Sequence, residues 1–200
     1  VRNARERDSG NTVLHKQFAG GHLTLAAAAS ASELASRPIR IALLDEVDRY
    51  KANVSGEGDP CALVIARLKT FWNSKWMMGS TPTRSNESRI FDAFKTSDQR
   101  YFYVKCPHCD EAQTFKFEFM RWEEGNPSNA FYACEHNGCV IDDADKNLMV
   151  RNGEWIATAK FNGIAGFHIS ELYSPFSSWA KIAADYEIKK ETPEQLQTFY

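Results

Sequence analysis

The stretch "RPIRIALLDEVDRY" (residues 37–50) decides the fold, because in it a short apolar run ends abruptly in acidic residues. The apolar part is rich in branched side chains and is bounded by Pro38 on one side and by the acids on the other. This length and composition favour a buried strand of a parallel sheet over a helix. Asp45 and Glu46 follow the strand directly, and Asp48 stands close behind them.

The paired acids have two interpretations. Ligands of α/β proteins bind at the carboxyl edge of the sheet, where these side chains would lie. Asp45 could then hold Mg²⁺, a small ion that prefers oxygen ligands, and Glu46 could orient and deprotonate an attacking water. The simpler interpretation is a strand end that runs into solvent. Asp48 is interpreted as a structural acid that orders the following loop.

The segments that follow the acids predict an α/β unit. Residues 60–72 have helical spacing with Pro60 in the first turn. A short apolar strand, "KWMMG", comes next, and residues 87–99 have the pattern of an amphipathic helix. Strand, helix, strand and helix in this order are typical of a parallel sheet.

The second predicted strand ends in small polar residues, "GSTPT" (residues 79–83). In a parallel sheet the ends of the two strands would lie side by side, so Ser80 and Thr81 could hydrogen-bond a γ-phosphate or its attacking water. The alternative is an ordinary turn, for which Gly, Ser and Pro are common residues.

The flanking regions predict shorter elements. Before the acids we expect two short strands joined by a glycine turn, then a short helix that Pro38 ends. After Tyr101 the sequence predicts short aromatic strands interrupted by cysteines, and then a helix, two strand-like pieces and a final helix. These later segments are residues 100–109, 113–119, 130–139, 142–150, 153–158, 163–170 and 177–191.

Four of the five cysteines fall in two close pairs, "CPHC" and "CEHNGC". In a chain without secretory features such pairs favour a metal over disulfides. Two pairs separated by strands predict a zinc ribbon, in which four thiolates surround a tetrahedral ion. A redox pair is the rival interpretation, and either histidine between the cysteines could replace a sulfur. The predicted ligands are Cys106, Cys109, Cys134 and Cys139, and Cys61 is predicted to be a small buried residue of its helix.

Composition limits the classes of protein. The chain has 200 residues, 43% of them hydrophobic, which is enough for a sizeable core. Its 24 basic and 26 acidic residues leave a net charge of -2, so we expect no strong nonspecific attraction to nucleic acid or membrane. No apolar run approaches the roughly 20 residues that a membrane span needs. The reducing cytoplasm is therefore the expected location.

The sequence contains no GxxxxGK[ST] motif, so a phosphate-binding loop is missing from these 200 residues. If the acids serve an ATPase, this loop is expected upstream of Val1. Arg84 and Arg89, which follow the hydroxyl residues, could contact phosphates or DNA. The sequence favours the plainer interpretation for both, a solvated helix face.

Five blocks of the sequence resemble the large subunit of bacteriophage terminase, of the lambda-like type. They are residues 20–50, 56–60, 71–83, 88–109 and 166–179, so the resemblance covers nearly the whole chain. It implies an ATPase that drives double-stranded DNA into a capsid and an endonuclease that cuts concatemeric DNA. It also implies Mg²⁺ and ATP as cofactors, and as partners the terminase small subunit, the capsid portal and further copies of the same chain, in the host cytoplasm.

The resemblance also assigns residues. Asp45 corresponds to the Walker B magnesium ligand and Glu46 to the catalytic base. Ser80, Thr81, Pro82 and Thr83 correspond to the motif that couples hydrolysis to DNA movement. The four paired cysteines resemble a zinc-ribbon-like insertion, although the second pair has the wider CxxxxC spacing.

The expected fold is accordingly a partial P-loop-type ATPase core of the α/β class, with a small β-rich zinc-ribbon-like insertion. The expected domains are residues 1–100 from the ATPase core, 101–150 as the insertion, and 151–200 leading toward a missing nuclease domain. Such a segment alone is expected to be inactive. Two alternatives stay open: a helicase-like ATPase, and a zinc-ribbon module that binds nucleic acid or protein and whose acids are structural.

Overall fold

Residues 11–83 and 87–192 are described by a computed structural model of the protein. The chain divides into two units, Val1–Ile90 and Phe91–Tyr200. In chain order the described elements of the first unit are β1 (His15–Phe18), β2 (Gly21–Thr24), α1 (Ala31–Ala35), β3 (Ile41–Asp45), α2 (Pro60–Leu68) and β4 (Lys75–Gly79), followed by α3 (Arg89–Lys95), which begins in this unit.

The central feature of the first unit is the parallel pair β3 and β4. Their register places Ile41 opposite Lys75 and Asp45 opposite Gly79, so both strands end at the same edge. Helix α2 forms the crossover between them, as parallel strands require. The α/β prediction is thus confirmed for this part of the chain.

Helices α1 and α2 begin at side-chain caps. The hydroxyl of Ser30 accepts a hydrogen bond from the backbone N–H of Glu33 at the start of α1. The carboxylate of Asp59 does the same for Ala62 at the start of α2, where Pro60 occupies the first helical position. Such caps satisfy backbone donors that have no partner inside the helix.

The two faces of β3 differ in burial. Ala42 and Leu44 are buried against α2, where they join a small hydrophobic cluster. Ile41 and Leu43 point to the other face and are 54% and 71% exposed, as is Met77 of β4 at 62%. The strand is therefore buried on one face only, whereas the sequence predicted a fully buried one.

The predicted hairpin near the start of the described chain is present. Strands β1 and β2 pair antiparallel, with His15 opposite Thr24 and Phe18 opposite Gly21. Gly20 in the turn has a φ of 85°, a conformation that glycine adopts without strain. The turn is tight because residue 20 is glycine.

The second unit is built from short strands and two further helices. In chain order its described elements after α3 are β5 (Arg100–Lys105), β6 (Ala112–Gln113), β7 (Met120–Glu123), β8 (Asn126–Ala133), β9 (Val140–Ile141), α4 (Asp143–Arg151), β10 (Glu154–Ala157), β11 (Phe167–His168) and α5 (Trp179–Lys189). One sheet has the order β10-β5-β11 with β6 attached to β5, and another has the order β7-β8-β9.

Aromatic side chains form the core of the second unit. Tyr132 of β8 and Trp179 of α5 are fully buried, and their ring centroids are 5.6 Å apart. The hydroxyl of Tyr173 donates to the carbonyl of Phe102 at 2.7 Å and accepts from the backbone N–H of Phe115 at 2.7 Å. The buried phenol thus keeps its hydrogen bonds, which offsets the cost of burying a polar group.

Strand β11 is held beside β5 by a buried carboxylate. Asp98 is fully buried and accepts hydrogen bonds from the guanidinium of Arg100 at 2.8 Å and the backbone N–H of Gly166 at 3.0 Å. Burial alone would raise the pKa of Asp98, but these bonds outweigh it and keep the pKa below its usual value. A Cβ at residue 166 would collide with the hydroxyl of Ser97, so only glycine fits there.

Among residues 11–83 and 87–192, no helix is long and apolar enough to cross a membrane.

Replacing Trp179 by alanine should destabilise the second unit strongly. The change removes a fully buried ring and its hydrogen bond from Nε1 to the carbonyl of Leu172, so we expect a loss of about 3–5 kcal/mol in unfolding free energy. Trp72→Ala is the matched control, because Trp72 is 96% exposed. Calorimetric unfolding should show the control within about 0.5 kcal/mol of wild type; equal losses in the two variants would contradict the assigned core.

Candidate functional site

The predicted acids lie at the carboxyl edge of the parallel pair. Asp45 is the last residue of β3, is exposed, and stands opposite Gly79, the last residue of β4. The loop of residues 80–83, which we call the hydroxyl loop, therefore starts beside the acids. The predicted juxtaposition of the two strand ends is confirmed, while the chemical roles of these side chains stay a prediction.

Glu46 has an unusual backbone conformation. Its φ of 53° and ψ of 46° are left-handed, a region that residues other than glycine occupy rarely and at a cost of about 1–3 kcal/mol. The following residues, Val47–Arg49, form a short 3₁₀ helix whose Val47 side chain is fully buried. The side chain of Glu46 is exposed.

The hydroxyl loop is tied to this 3₁₀ turn. The backbone N–H of Asp48 donates to the hydroxyl of Ser80 at 3.2 Å, and that hydroxyl donates to the carbonyl of Thr81 at 3.0 Å. Thr81 and Pro82 are exposed at the same edge. Ser80 is thus already engaged with the turn that carries the acids.

Asp48 is the structural acid that the sequence predicted. Its Oδ2 accepts from both the backbone N–H and the hydroxyl of Thr83, at 3.0 and 3.3 Å, and its Oδ1 accepts from the backbone N–H of Ile90 at 2.9 Å. Partial burial would raise the pKa of Asp48, but hydrogen bonds from Ser88, Ile90 and Thr83 prevail and lower it. The carboxylate therefore stays ionised at neutral pH.

Arg89 corrects one expectation. Its guanidinium donates to the carbonyls of Val47, Tyr50 and Lys51 at 2.8–2.9 Å and forms an ion pair of 2.9 Å with Asp59. The interpretation of Arg89 as a solvated helix face is therefore wrong, because its side chain is only 24% exposed and its donors are engaged. Arg84 lies outside the described residues.

Arg89→Met should weaken the first unit by about 2 kcal/mol, because three carbonyls and a carboxylate lose a charged donor. Arg89→Lys should recover little, since an ammonium cannot span the positions that the planar fork reaches. Calorimetric unfolding measures both. Arg37→Met, at an exposed site in the same unit, is the control, and a loss no greater than in that control would refute this role.

Three of the four predicted cysteines cluster in the second unit, and the fourth lies beside one of them. The sulfurs of Cys106, Cys109 and Cys139 lie within 4.8 Å of one another, and the sulfur of Cys134 is 3.6 Å from that of Cys109. Four sulfurs about 2.3 Å from a tetrahedral zinc ion would be about 3.8 Å apart. The separation of the Cys109 and Cys134 sulfurs is close to this value, but Cys134 lies outside the mutual 4.8 Å group that the other three sulfurs form.

The two cysteine loops have the same backbone turn despite their different spacing. In the first, the carbonyl of Cys106 accepts from Asp110 N–H, and the N–H of Cys106 donates to the carbonyl of Glu111. In the second, Cys134 makes the same two bonds with Gly138 and Cys139. The residue at the fourth position after each first cysteine is left-handed, with a φ of 61° or 65°.

The thiols differ in acidity. Burial raises the pKa of Cys106 to about 11. Hydrogen bonds to the sulfur of Cys109, first from the backbone N–H of Glu111 and then from the side chain of Asn137, lower its pKa to about 7. At neutral pH the thiolate fraction of Cys109 is therefore larger than that of Cys106, and the thiolate is the form of cysteine that binds metal.

Among the remaining candidates, the prediction that Cys61 is a buried residue of its helix is confirmed. His108 and His136 are exposed, and a ring nitrogen of His136 is 3.0 Å from the carbonyl of Ala112. Cys61 is buried on α2 and belongs to the cluster beneath β3. Burial raises its pKa to about 11, so this thiol is unreactive.

Sequence reasoning missed two contributors. The first is the Arg89–Asp59 pair, whose partners are separated by the whole of α2 and β4 and which no local pattern signals. The second is the common turn of the two cysteine loops, for which the signal was present: Gly138 follows its cysteine by four residues, as Asp110 does.

Acids and hydroxyls at the carboxyl edge of parallel strands are the arrangement of an α/β protein that binds a ligand there. Comparison with known families is more specific. The chain belongs to the phage terminase large subunit gpA family: the family's ATPase domain matches residues 1–155, and its endonuclease domain matches residues 164–200.

Two curated relatives are similar over 94% of this chain. The terminase large subunit of Enterobacteria phage P21 is 31% identical, and that of Escherichia phage lambda is 28% identical. The chain spans 33% of the length of each relative. No solved structure matches the chain.

Proposed function

We propose that this chain is part of a viral DNA-packaging motor whose ATPase drives double-stranded DNA into a capsid, and that the same protein carries an endonuclease that cuts concatemeric DNA. One observation carries the ATPase part: in a chain of the terminase family, the acids after β3 and the hydroxyl loop after β4 start at the same edge of a parallel pair. Nucleotides bind at this edge in α/β proteins.

Each acid has a separate role in the proposed reaction. Asp45 would hold Mg²⁺, since an exposed carboxylate next to hydroxyl oxygens is the donor set that this ion prefers. Magnesium supplies charge neutralisation on the phosphates when bound. Glu46 would orient and deprotonate the water that attacks the γ-phosphate in line. Its left-handed backbone supports this role, because strained residues concentrate at functional sites.

The hydroxyl loop would sense hydrolysis. Ser80, Thr81, Pro82 and Thr83 start beside the acids, and Ser80 is already bonded to the turn that follows Glu46. When the γ-phosphate leaves, a change in the conformation of this loop would be transmitted to the parts of the motor that move DNA. This is the role of a coupling motif.

The first unit would be part of a larger ATPase core. The exposed apolar side chains on one face of β3 and β4 support this, because parallel sheets are normally covered on both faces. We propose residues 1–100 as ATPase core, 101–150 as the cysteine-containing insertion, and 151–200 as the segment that leads into the nuclease, whose family match begins at residue 164. The phosphate-binding loop would come from another segment of the protein, so this chain alone would not hydrolyse ATP or cut DNA.

A DNA-packaging motor of this kind implies a set of partners. They are double-stranded viral DNA, the terminase small subunit, the capsid portal and further copies of the chain, all in the host cytoplasm. Membership in the terminase family supports DNA and the packaging machinery as partners.

We further propose a structural Zn²⁺ held by Cys106, Cys109, Cys134 and Cys139. The clustered sulfurs support it, and so do the two matching turns that present them. Zinc would stabilise the two cysteine loops and so the pairing of the short strands beside them, β5 with β6 and β8 with β9. The ion would have no part in the chemistry of the ATP site.

Glu46→Gln in the full-length protein should reduce DNA-stimulated ATP hydrolysis about 100-fold or more, because the amide cannot accept the proton of water. ATP binding should change little. Glu57→Gln, an exposed glutamate in the loop before α2, is the control and should keep wild-type activity. Undiminished hydrolysis in Glu46→Gln would refute the ATPase proposal and favour acids with a structural role.

Purified protein should contain about one zinc ion per chain, and Cys139→Ser should lower this content to well under half. Cys139 is the informative position because it has the wider spacing. Cys61→Ala is the control, since Cys61 lies in the other unit, and it should leave zinc content unchanged. Elemental analysis measures the ion, and wild-type protein well below one equivalent would exclude the site.

A further inference from the structure

One carboxylate joins three segments at the carboxyl edge of the first unit. Through its backbone N–H and both oxygens, Asp48 bonds Ser80 and Thr83 of the hydroxyl loop and Ile90 of α3. Asp48 itself lies in the 3₁₀ turn directly after Glu46. The acids, the hydroxyl loop and the start of α3 are thus connected through a single residue.

We propose that Asp48 is a positioning residue that couples hydrolysis to movement: it makes the hydroxyl loop and the start of α3 follow the displacement of the acids when the γ-phosphate leaves. The inference rests on the proposed ATPase function. Asp48 touches no substrate in this role and acts only through its bonds to the loop and the helix.

The bonding pattern requires a carboxylate. Oδ2 accepts two hydrogen bonds from Thr83, and Oδ1 accepts one from Ile90, so both oxygens are acceptors. The side chain of Ser88, just before α3, also hydrogen-bonds the carboxylate. An asparagine has one acceptor oxygen and a donating NH₂ group. In Asp48→Asn the NH₂ group would face either the N–H of Thr83 or that of Ile90, and one connection would be lost whichever way the amide turned.

The turn itself does not depend on Asp48. Arg89 holds the same segment independently, through the carbonyls of Val47, Tyr50 and Lys51. Val47 is also fully buried in the cluster beneath β3. Replacing Asp48 should therefore leave the acids in place and release specifically the loop and the helix.

The experiment uses the full-length protein with DNA and capsids. It measures kcat and KM for ATP, and the length of DNA packaged per ATP hydrolysed. We expect Asp48→Asn to keep KM and most of kcat, while the DNA packaged per ATP falls roughly tenfold, because hydrolysis continues without moving the loop and the helix. The matched control is Asp92→Asn, the same chemical change at an exposed position of α3, which should keep all three values.

A second variant covers the case in which Asp48→Asn does not fold. Thr83→Val removes only the side-chain bond to Oδ2 and leaves the backbone bond, so a smaller loss of DNA packaged per ATP is expected. If the two residues act through one connection, the double variant should lose no more than Asp48→Asn alone.

Two outcomes would overturn the inference. The first is an unchanged ratio of DNA packaged to ATP hydrolysed in Asp48→Asn, whether kcat is kept or falls in proportion with packaging, as lost stability would give. The second, where Asp48→Asn does not fold, is an unchanged ratio in Thr83→Val. Failure of the ATPase proposal is separate. It would appear as normal hydrolysis in Glu46→Gln, whatever Asp48→Asn does.

Discussion

The parallel pairing of β3 with β4 is the constraint on which the first unit depends. Parallel strands joined by a crossover helix must end at the same edge, so the register that sets Asp45 opposite Gly79 also sets the acids beside the hydroxyl loop. Helix α2 completes the crossover and covers one face of the pair. The closeness of the acids and the hydroxyl loop therefore follows from the pairing itself.

Charged hydrogen bonds hold the irregular segments around that edge. A strained turn at Glu46 would relax unless its surroundings fixed it. Here a planar guanidinium fixes it by bonding the carbonyls of Val47, Tyr50 and Lys51, in and just after the turn. The partner of Arg89, Asp59, also caps α2. The backbone of the site is thus supported by side chains that come from outside it.

The sequence predicted the elements well where a periodic pattern exists, as in β3, α2 and the aromatic strands. It also predicted that the two cysteine pairs belong together: the sulfurs of Cys106, Cys109 and Cys139 cluster, and that of Cys134 lies beside Cys109. It failed for Arg89, whose environment is created by folding, and for the exposed face of β3, since an apolar run does not reveal whether a second layer is present. The sequence did not predict side-chain contacts between distant segments, such as the Arg89–Asp59 pair. It did predict where the strands end and which cysteines are paired.

The shared turn of the two cysteine loops has a consequence for how such sites change over time. Because the backbone is the same in both, the loop offers a sulfur two usable places, occupied by Cys109 in one copy and by Cys139 in the other, three and five residues after the first cysteine. Asn137 stands at the unused place of the second copy and bonds the sulfur of Cys109. During evolution the second cysteine of such a loop could therefore change from one of these positions to the other while the turn kept its backbone hydrogen bonds.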